Sequence, residues 1–314
     1  MSSSTSSPRF STPGSAMTEP ATVAIDGNFD RATTRGLGAT LRGRLQFWVS
    51  VVLLGCLAII AVIPGPLSGL FGQSDPRSCD LSASNKPPGP GHPFGTDVQG
   101  CDVMANVLFG TRTSLFIGLT TTAICLIVAV VLGALAGYRG GWVDSLIARG
   151  ADVVLGFPFL LGAIIVLNTA PDRTPLLLSA VLAFFSWPTF ARLIRSSVKE
   201  VREREFVQAA HALGFSPMRV VLTHVLPNSL APTLAIAATM VGGVIGAEAT
   251  LTFLGVGLVP PSISWGVQLS TAQSYFQLAP HTVLFPSIFL TVTVISLIML
   301  GDALRDALDP RGRS

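Results

Sequence analysis

Charged residues are scarce in this sequence of 314 residues. Asp, Glu, Lys and Arg make up 12% of the chain, whereas a soluble globular domain carries about 25%. Between Arg219 and Asp302, Glu248 is the only Asp, Glu, Lys or Arg residue. Hydrophobic residues account for 49% of the chain. This composition excludes an ordinary soluble domain and predicts an all-α polytopic membrane protein.

Motifs for nucleotide binding and catalysis are absent as well. The chain has only two lysines, Lys86 and Lys199, and neither follows the glycine-rich turn of a P-loop, so ATP binding of that type is not expected. The patterns His-Glu-x-x-His, Gly-x-Ser-x-Gly and Cys-x-x-Cys are also missing. We therefore expect no catalytic residue, no metal site and no cofactor in this chain.

One cluster leaves a metal site open as an alternative. His92, Asp97 and Asp102 fall close together in the sequence. One histidine with two scattered carboxylates is a weak pattern for a metal ion. A structural loop rich in turns is the favoured interpretation.

Six stretches are long and apolar enough to cross a membrane as helices, which takes about 20 residues. They lie near residues 45–65, 113–138, 153–170, 174–191, 229–257 and 281–301. Residues 1–44, which begin with a Ser-, Thr- and Pro-rich stretch, are predicted to be a disordered tail. The predicted organisation continues with an extracytoplasmic loop at 66–112, a core at 113–301 and a C-terminal tail at 302–314.

The distribution of Lys and Arg predicts the orientation. Six spans place 16 of the 20 basic residues on one side, and only Arg77, Lys86, Arg112 and Arg173 on the other. Because basic residues accumulate on the cytosolic side, both termini and the loop at 192–228 are predicted to be cytosolic.

The segment 206–228 has the pattern of a helix, a stop and a second helix. Gly214 occupies the position of a left-handed helix cap, and Ser216 and Pro217 match a helix start. The second helix is predicted to end near Leu226 and to be broken by Pro227. The apolar residues of the first helix recur on one face: Phe206, Ala209, Ala210 and Leu213. Periodicity alone leaves two interpretations, an amphipathic connector on the membrane surface or a helix that packs against a partner.

The four cysteines fall into two classes. Cys56 and Cys125 lie within predicted spans and are expected to be free thiols. Cys79 and Cys101 lie in the predicted outer loop, which is an oxidising location. A bridge between them would close a loop of roughly 23 residues and add about 3 kcal/mol. The alternative is two unpaired thiols that are too far apart to join.

Glu248 is the one ionisable side chain deep in a predicted span. Carboxyl groups in membranes are costly, so a proton- or ion-coupled carrier is one hypothesis for it. The other is a structural carboxyl that bonds a neighbouring helix or a hydroxyl such as Thr250 or Thr252. The lack of an intramembrane basic partner favours the structural role.

Three blocks of the sequence resemble the inner-membrane permeases of peptide ABC importers, in particular the C-type subunit of dipeptide and oligopeptide systems. They run from His92 to Leu119, from Ser186 to Asn228 and from Glu248 to Arg311. The second block contains FVQAAHALGFSP, and the third contains EATLTFLGVGL and LGDALRDALDPR. Together with the spans between them, the resemblance covers roughly residues 45–311.

The resemblance implies a type I ABC importer permease fold with six transmembrane helices in the inner membrane of a bacterial cell. It implies a B-type sister permease, cytosolic ATPase subunits that bind the ATP and Mg²⁺, and an extracytoplasmic binding protein, with no nucleic acid. The segment that would couple to the ATPase comprises Phe206, Gln208, Ala209, Ala210, Leu213, Gly214, Phe215 and Ser216. The chain itself would catalyse no reaction. The alternative is a secondary carrier or channel that uses Glu248.

Two positions depart from the family pattern and one matches it. Gln208 stands where the family has Glu, so a salt bridge to the ATPase from that position is not expected. Cys101 stands where the family usually has Arg, which fits a local task such as pairing with Cys79. Glu248 matches a family Glu. The family carries dipeptides, longer peptides, metal chelates, glutathione or haem, and short peptides are favoured here because they dominate it.

Overall fold

A computed structural model describes residues 45–71 and 75–308 of the chain. The predicted disordered tail, residues 1–44, lies outside the described residues, and so do residues 309–314 of the C-terminal tail predicted at 302–314. The described part is helical and contains no strand longer than an isolated bridge.

The helices follow one another with short connections, apart from the loop between α2 and α3. A 3-10 turn at Leu81–Ala83 lies in that loop, and a π-helical turn at Val221–Val225 joins α8 to α9. The helices are α1 (Leu45–Val62), α2 (Pro64–Gly69), α3 (Val103–Arg139), α4 (Gly141–Gly156), α5 (Phe159–Thr169), α6 (Pro175–Arg202), α7 (Glu205–Ala212), α8 (Pro217–Val220), α9 (Leu226–Phe253), α10 (Trp265–Ala272) and α11 (His281–Leu308).

Five described helices are long and apolar enough to cross a membrane, and α4 with α5 makes a sixth span if the bent pair is one. The predicted span at 153–170 was expected to be continuous. Instead, α4 and α5 meet at 82°. The break falls at Phe157, whose extended backbone precedes Pro158, and a residue before proline disfavours the helical conformation.

The second span begins earlier than the sequence predicts. The helix α3 starts at Val103 rather than near residue 113, because Asp102 caps it. The Asp102 carboxylate accepts a hydrogen bond of 2.7 Å from the backbone N–H of Ala105. Residues 103–112, which the sequence assigns to the outer loop, are therefore helical.

The prediction that Pro227 breaks the second helix is wrong. The chain continues through the π turn into α9, and Pro227 lies in the first turn of α9. Side chains satisfy carbonyls next to the wide turn, since Asn228 donates to the His224 oxygen at 2.6 Å and Ser229 to the Val225 oxygen at 2.8 Å. Pro227 itself is tolerated because it lies in the first turn of α9, where the N–H that proline lacks would have no partner within that helix.

Two glycines allow α3 and α6 to pack closely. A Cβ atom on Gly133 would lie 2.8 Å from the carbonyl oxygen of Ala191, and one on Gly137 would lie 2.8 Å from that of Arg195. The helix α9 packs against α3 and α11, and α1 packs on the outside against α11. These contacts leave two ends of the bundle, which differ in construction. We call them the outer end (residues 75–102 and 254–281) and the α7 end (residues 137–156 and 192–225).

Candidate functional site

The α7 end contains a short helix that is held by its neighbours. The helix α7 has eight residues, fewer than the 12 to 15 or so that an isolated helix needs. Gly214 ends it with a backbone φ of +80°. The N–H of Gly214 donates to the carbonyl of His211 at 3.0 Å, and that of Phe215 to Ala210 at 3.2 Å. The helix and its glycine cap lie where the sequence places them.

The second predicted helix start is present with a difference. Ser216 occupies the position before α8 with an extended backbone, and Pro217 follows it. The Ser216 side chain makes no capping hydrogen bond. The α8 start therefore depends on Pro217, whose fixed φ suits the first turn of a helix.

The two faces of α7 differ from the predicted pattern. Val207 is fully buried and Ala210 is 5% exposed, and both pack in a cluster with Ile194 and Val198 of α6. Leu213 is 78% exposed. Phe206, Gln208 and Ala209 are also exposed. Ala210 thus lies on the inner face of α7, whereas Ala209 lies on the exposed face. Residues three apart, such as Val207 and Ala210, lie on the same side of a helix.

Tyr138 connects α7 to the last turn of α3. Its hydroxyl lies 3.2 Å from Nε2 of His211, and the two rings are stacked with centroids 6.4 Å apart. Arg202, the last residue of α6, donates to the Tyr138 carbonyl at 2.9 Å and to the Gly137 carbonyl at 3.3 Å. Carbonyls at a helix end have no partner within the helix, so Arg202 caps α3 while it joins α3 to α6.

Ion pairs attach α4 to α6 at the same end. Asp144 of α4 accepts hydrogen bonds of 2.7 Å from both Arg195 and Lys199 of α6. Arg192 pairs with Asp152 one helical turn earlier on α6. Tyr138 thus joins α7 to α3, Arg202 joins α6 to α3, and Asp144 joins α4 to α6.

Gln208 and Phe215 make local contacts. The side-chain N–H of Gln208 donates to the carbonyl of Glu203 at 3.2 Å, and the amide oxygen takes no part in that bond. Phe215 is half-buried, and the guanidinium of Arg219 lies 5.0 Å above its ring. That arrangement is a cation–π contact.

Glu248 is fully buried in α9 and bonds to hydroxyl groups. Thr252 donates to its Oε1 at 3.0 Å and Ser264 donates to the same atom at 2.9 Å. Thr250, which the sequence also offered as a partner, donates instead to the carbonyl of Gly246. Ser264 is the residue that caps α10, so Glu248 joins α9 to the start of α10.

The four cysteines divide as the two classes suggest. Cys79 and Cys101 are joined as a disulfide in the structure, while Cys56 and Cys125 are free.

Asp97 is held by the backbone next to this disulfide. The backbone N–H groups of Gln99 and Cys101 donate to Asp97 at 2.8 and 2.9 Å. Burial raises the pKa of Asp97, although these two hydrogen bonds act in the opposite direction.

The residues considered for a metal site bind other groups. The Nδ1 atom of His92 lies 2.7 Å from Asp102, which caps α3, and Asp97 accepts backbone hydrogen bonds. Among the described residues no group of three or more His, Cys, Asp or Glu side chains could hold a metal ion.

Sequence reasoning missed four residues at the α7 end: Tyr138, Asp144, Arg202 and His211. One signal was available. Tyr138 precedes a pair of glycines that ends α3, and the backbone φ is +66° at Gly140 and +58° at Gly141. A helix that ends next to a predicted cytosolic loop favours contacts with that loop. The spacing of residues in the sequence does not predict which residues contact Tyr138.

Comparison with known proteins identifies the family. The family model described as a binding-protein-dependent transport system inner membrane component matches residues 129–314. The chain belongs to this family. A dipeptide transport system permease protein, DppC, of Alkalihalophilus pseudofirmus is 39% identical over 270 residues, which are 85% of this chain and 86% of that protein. An oligopeptide transport system permease protein, OppC, of Mycobacterium bovis is 36% identical over 275 residues, with 87% of this chain and 94% of that protein covered.

A third relative is named for a different substrate, and a solved structure supports the fold. The glutathione transport system permease protein GsiD of Pectobacterium atrosepticum is 36% identical over 235 residues, with 75% of this chain and 78% of that protein covered. The inward-facing MetNI methionine ABC transporter has a chain with a TM-score of 0.53 at 18% identity, and the match covers 66% of this chain and 98% of that chain. The protein is thus a multi-pass membrane permease with the type I ABC importer fold that the sequence predicts.

Proposed function

We propose that this permease moves short peptides into a bacterial cell as one of two different membrane subunits of an ABC importer. The relatives support the substrate class, since two of the three described above are dipeptide and oligopeptide permeases. The chain aligns over most of their length. The glutathione permease is consistent with the same class, because glutathione is itself a short peptide.

The exposed face of α7 is the observation that carries the proposal. The inner face of α7 packs on α6, and this packing stabilises a helix so short. Leu213, Phe206 and Ala209 remain uncovered among the described residues. We infer that an ATPase subunit covers them. Gln208 would contribute a hydrogen bond there, not a salt bridge.

The partner ATPases would bind the ATP and Mg²⁺, and this chain would catalyse no reaction. The α7 end carries Arg192, Arg195, Lys199, Arg202 and Arg204, and this excess of basic residues supports a cytosolic position for it and for both termini. The opposite, outer end would face an extracytoplasmic binding protein. A movement of α7 would then reach α3 through Tyr138, and α4 through α6.

Glu248 fits a structural role in this proposal. Its Oε1 atom accepts two hydroxyl hydrogen bonds, and both hydroxyl groups also accept from backbone N–H groups, of Leu258 at 3.1 Å and of Val267 at 3.2 Å. Such a network fixes helices relative to one another. A secondary carrier that uses Glu248 is therefore not favoured.

Peptide uptake by cells tests the function. A strain that lacks this gene should take up a labelled dipeptide only when the wild-type chain is restored, and uptake should need cellular ATP. Leu213→Asp should abolish uptake at normal protein levels in the membrane. Leu213→Met, which keeps an apolar side chain at this exposed position, is the control that should transport normally. Uptake that persists in Leu213→Asp would refute the role of α7, and uptake unaffected by gene loss would refute the peptide substrate.

A further inference from the structure

One face of α4 carries an arginine that no group in the described chain binds. Trp142, Leu146, Arg149 and Val153 recur at the spacing of a single helix face. Trp142 is 76% exposed, Leu146 62% and Val153 70%. Arg149 is exposed between them and forms neither an ion pair nor a hydrogen bond with any described residue. The face therefore combines apolar surface with an isolated positive charge.

The direction of α4 suits the surface of a membrane. The helix turns away from α5 by 82°. If the axis of α5 lies along the bilayer normal, α4 lies nearly parallel to the membrane surface. Amphipathic helices in that position place apolar side chains among the acyl chains, with tryptophan and arginine at the level of the headgroups. Arginine reaches phosphate oxygens with a planar fork of N–H donors.

We propose that α4 lies in the cytosolic interface of the membrane and that its Trp142–Arg149 face binds the phosphate of an anionic phospholipid. The side of the membrane rests on the orientation proposed above. The isolated charge favours lipid over a protein partner. A protein that buried this face would have to supply a carboxylate to Arg149, whereas a phospholipid supplies phosphate and apolar surface together.

The opposite face of α4 gives the contact a consequence. Asp144 lies there and holds Arg195 and Lys199 of α6 at 2.7 Å. A cleft of about 340 Å³ lies between α4, α3 and α6, so part of the attachment of α4 to α6 depends on these ion pairs. The lipid that holds α4 would thereby set the position of α6, which leads directly into α7.

Tryptophan quenching by brominated lipid tests the contact in the intact complex. The complex is placed in nanodiscs of phosphatidylcholine with a minor fraction of phosphatidylglycerol, and the bromine is carried by one lipid or the other. The difference between wild type and Trp142→Phe isolates the signal of Trp142. We expect stronger quenching per mole from brominated phosphatidylglycerol, and we expect Arg149→Gln to reduce that preference about fivefold. The control Arg112→Gln changes an exposed arginine on α3 near the outer end and should leave the preference unchanged.

Two results would overturn the proposal. One is equal quenching by the two brominated lipids in the wild type. The other is no quenching of Trp142 together with cross-links from Leu146→Cys or Val153→Cys to another protein chain, which would make the face a protein interface. Quenching does not depend on transport, so a failed peptide assignment would leave this test intact.

Discussion

The outer end and the α7 end of this permease are built in different ways. At the outer end, Phe94 stacks on Phe285 with ring centroids 3.9 Å apart, and Trp265 is fully buried with its Nε1–H bonded to the Val107 carbonyl at 3.1 Å. A disulfide closes the loop there. At the α7 end, charged side chains such as Asp144 and Lys199 make the connections between helices.

This difference indicates which end can change its contacts. Close-packed aromatic groups have one good arrangement, and moving them leaves voids. Partly exposed ion pairs can separate and form again at a small cost, because water replaces the lost partner. The outer end is thus expected to move as a unit, and the α7 end to adjust when a partner binds.

The largest expected effect comes from removing the buried tryptophan. Trp265→Ala should destabilise the protein by about 3 to 5 kcal/mol, because it opens a cavity and removes one of the hydrogen bonds to the Val107 carbonyl. Trp142→Ala removes the same side chain at the exposed α7 end and should leave thermal stability nearly unchanged. Melting temperatures in one detergent compare them, and equal losses would contradict the contrast between the two ends.

The disulfide should have the next largest effect. Reduction, or the double change of Cys79 and Cys101 to serine, should lower stability by about 3 kcal/mol, since the bridge restricts the unfolded chain. Titration of the denatured, non-reduced protein should find two free thiols, Cys56 and Cys125. Four thiols would show that the bridge does not form in cells.

Loss of the ion pairs around Asp144 should affect transport more than stability. Asp144→Asn removes the charge that holds Arg195 and Lys199, and we expect a stability loss of about 1 to 2 kcal/mol. Uptake per ATP hydrolysed should fall severalfold, because α4 no longer follows α6. Glu200→Gln serves as the control, since its pair with Arg204 lies on the exposed surface. Equal uptake per ATP hydrolysed in the two variants would show that the attachment of α4 to α6 has no part in coupling.

The smallest expected effect is that of Glu248→Gln. The amide oxygen of glutamine can still accept the hydroxyl hydrogen bonds of Thr252 and Ser264, so stability and uptake should change little. Uptake measured from pH 5.5 to pH 8 should keep the wild-type profile. A steep change in that profile would revive the carrier hypothesis for Glu248.

The sequence predicts the five long apolar helices, the position of α7 and its glycine cap, because apolar runs and helix caps are local signals. It does not predict the bend at Phe157 or the passage of the helix through Pro227, which depend on neighbouring turns. It also assigns Ala210 to the wrong face, since Val207 and α6 together determine which side is buried. The Tyr138–His211 contact joins residues far apart in the chain, and the spacing of residues in one sequence does not predict such a contact.

Co-purification of the ATPase with this chain tests the central claim most directly. The tagged chain is isolated in mild detergent as wild type, as Ala209→Arg and as Ser274→Arg. Ser274→Arg is the control, since it places the same side chain at an exposed position of the outer end. The associated proteins are identified by mass spectrometry. The account predicts an ATPase subunit with the wild type and with Ser274→Arg. With Ala209→Arg, the sister permease should remain and the ATPase should be lost. An ATPase that stays bound to Ala209→Arg at the wild-type ratio would contradict the assignment of α7 as its docking helix.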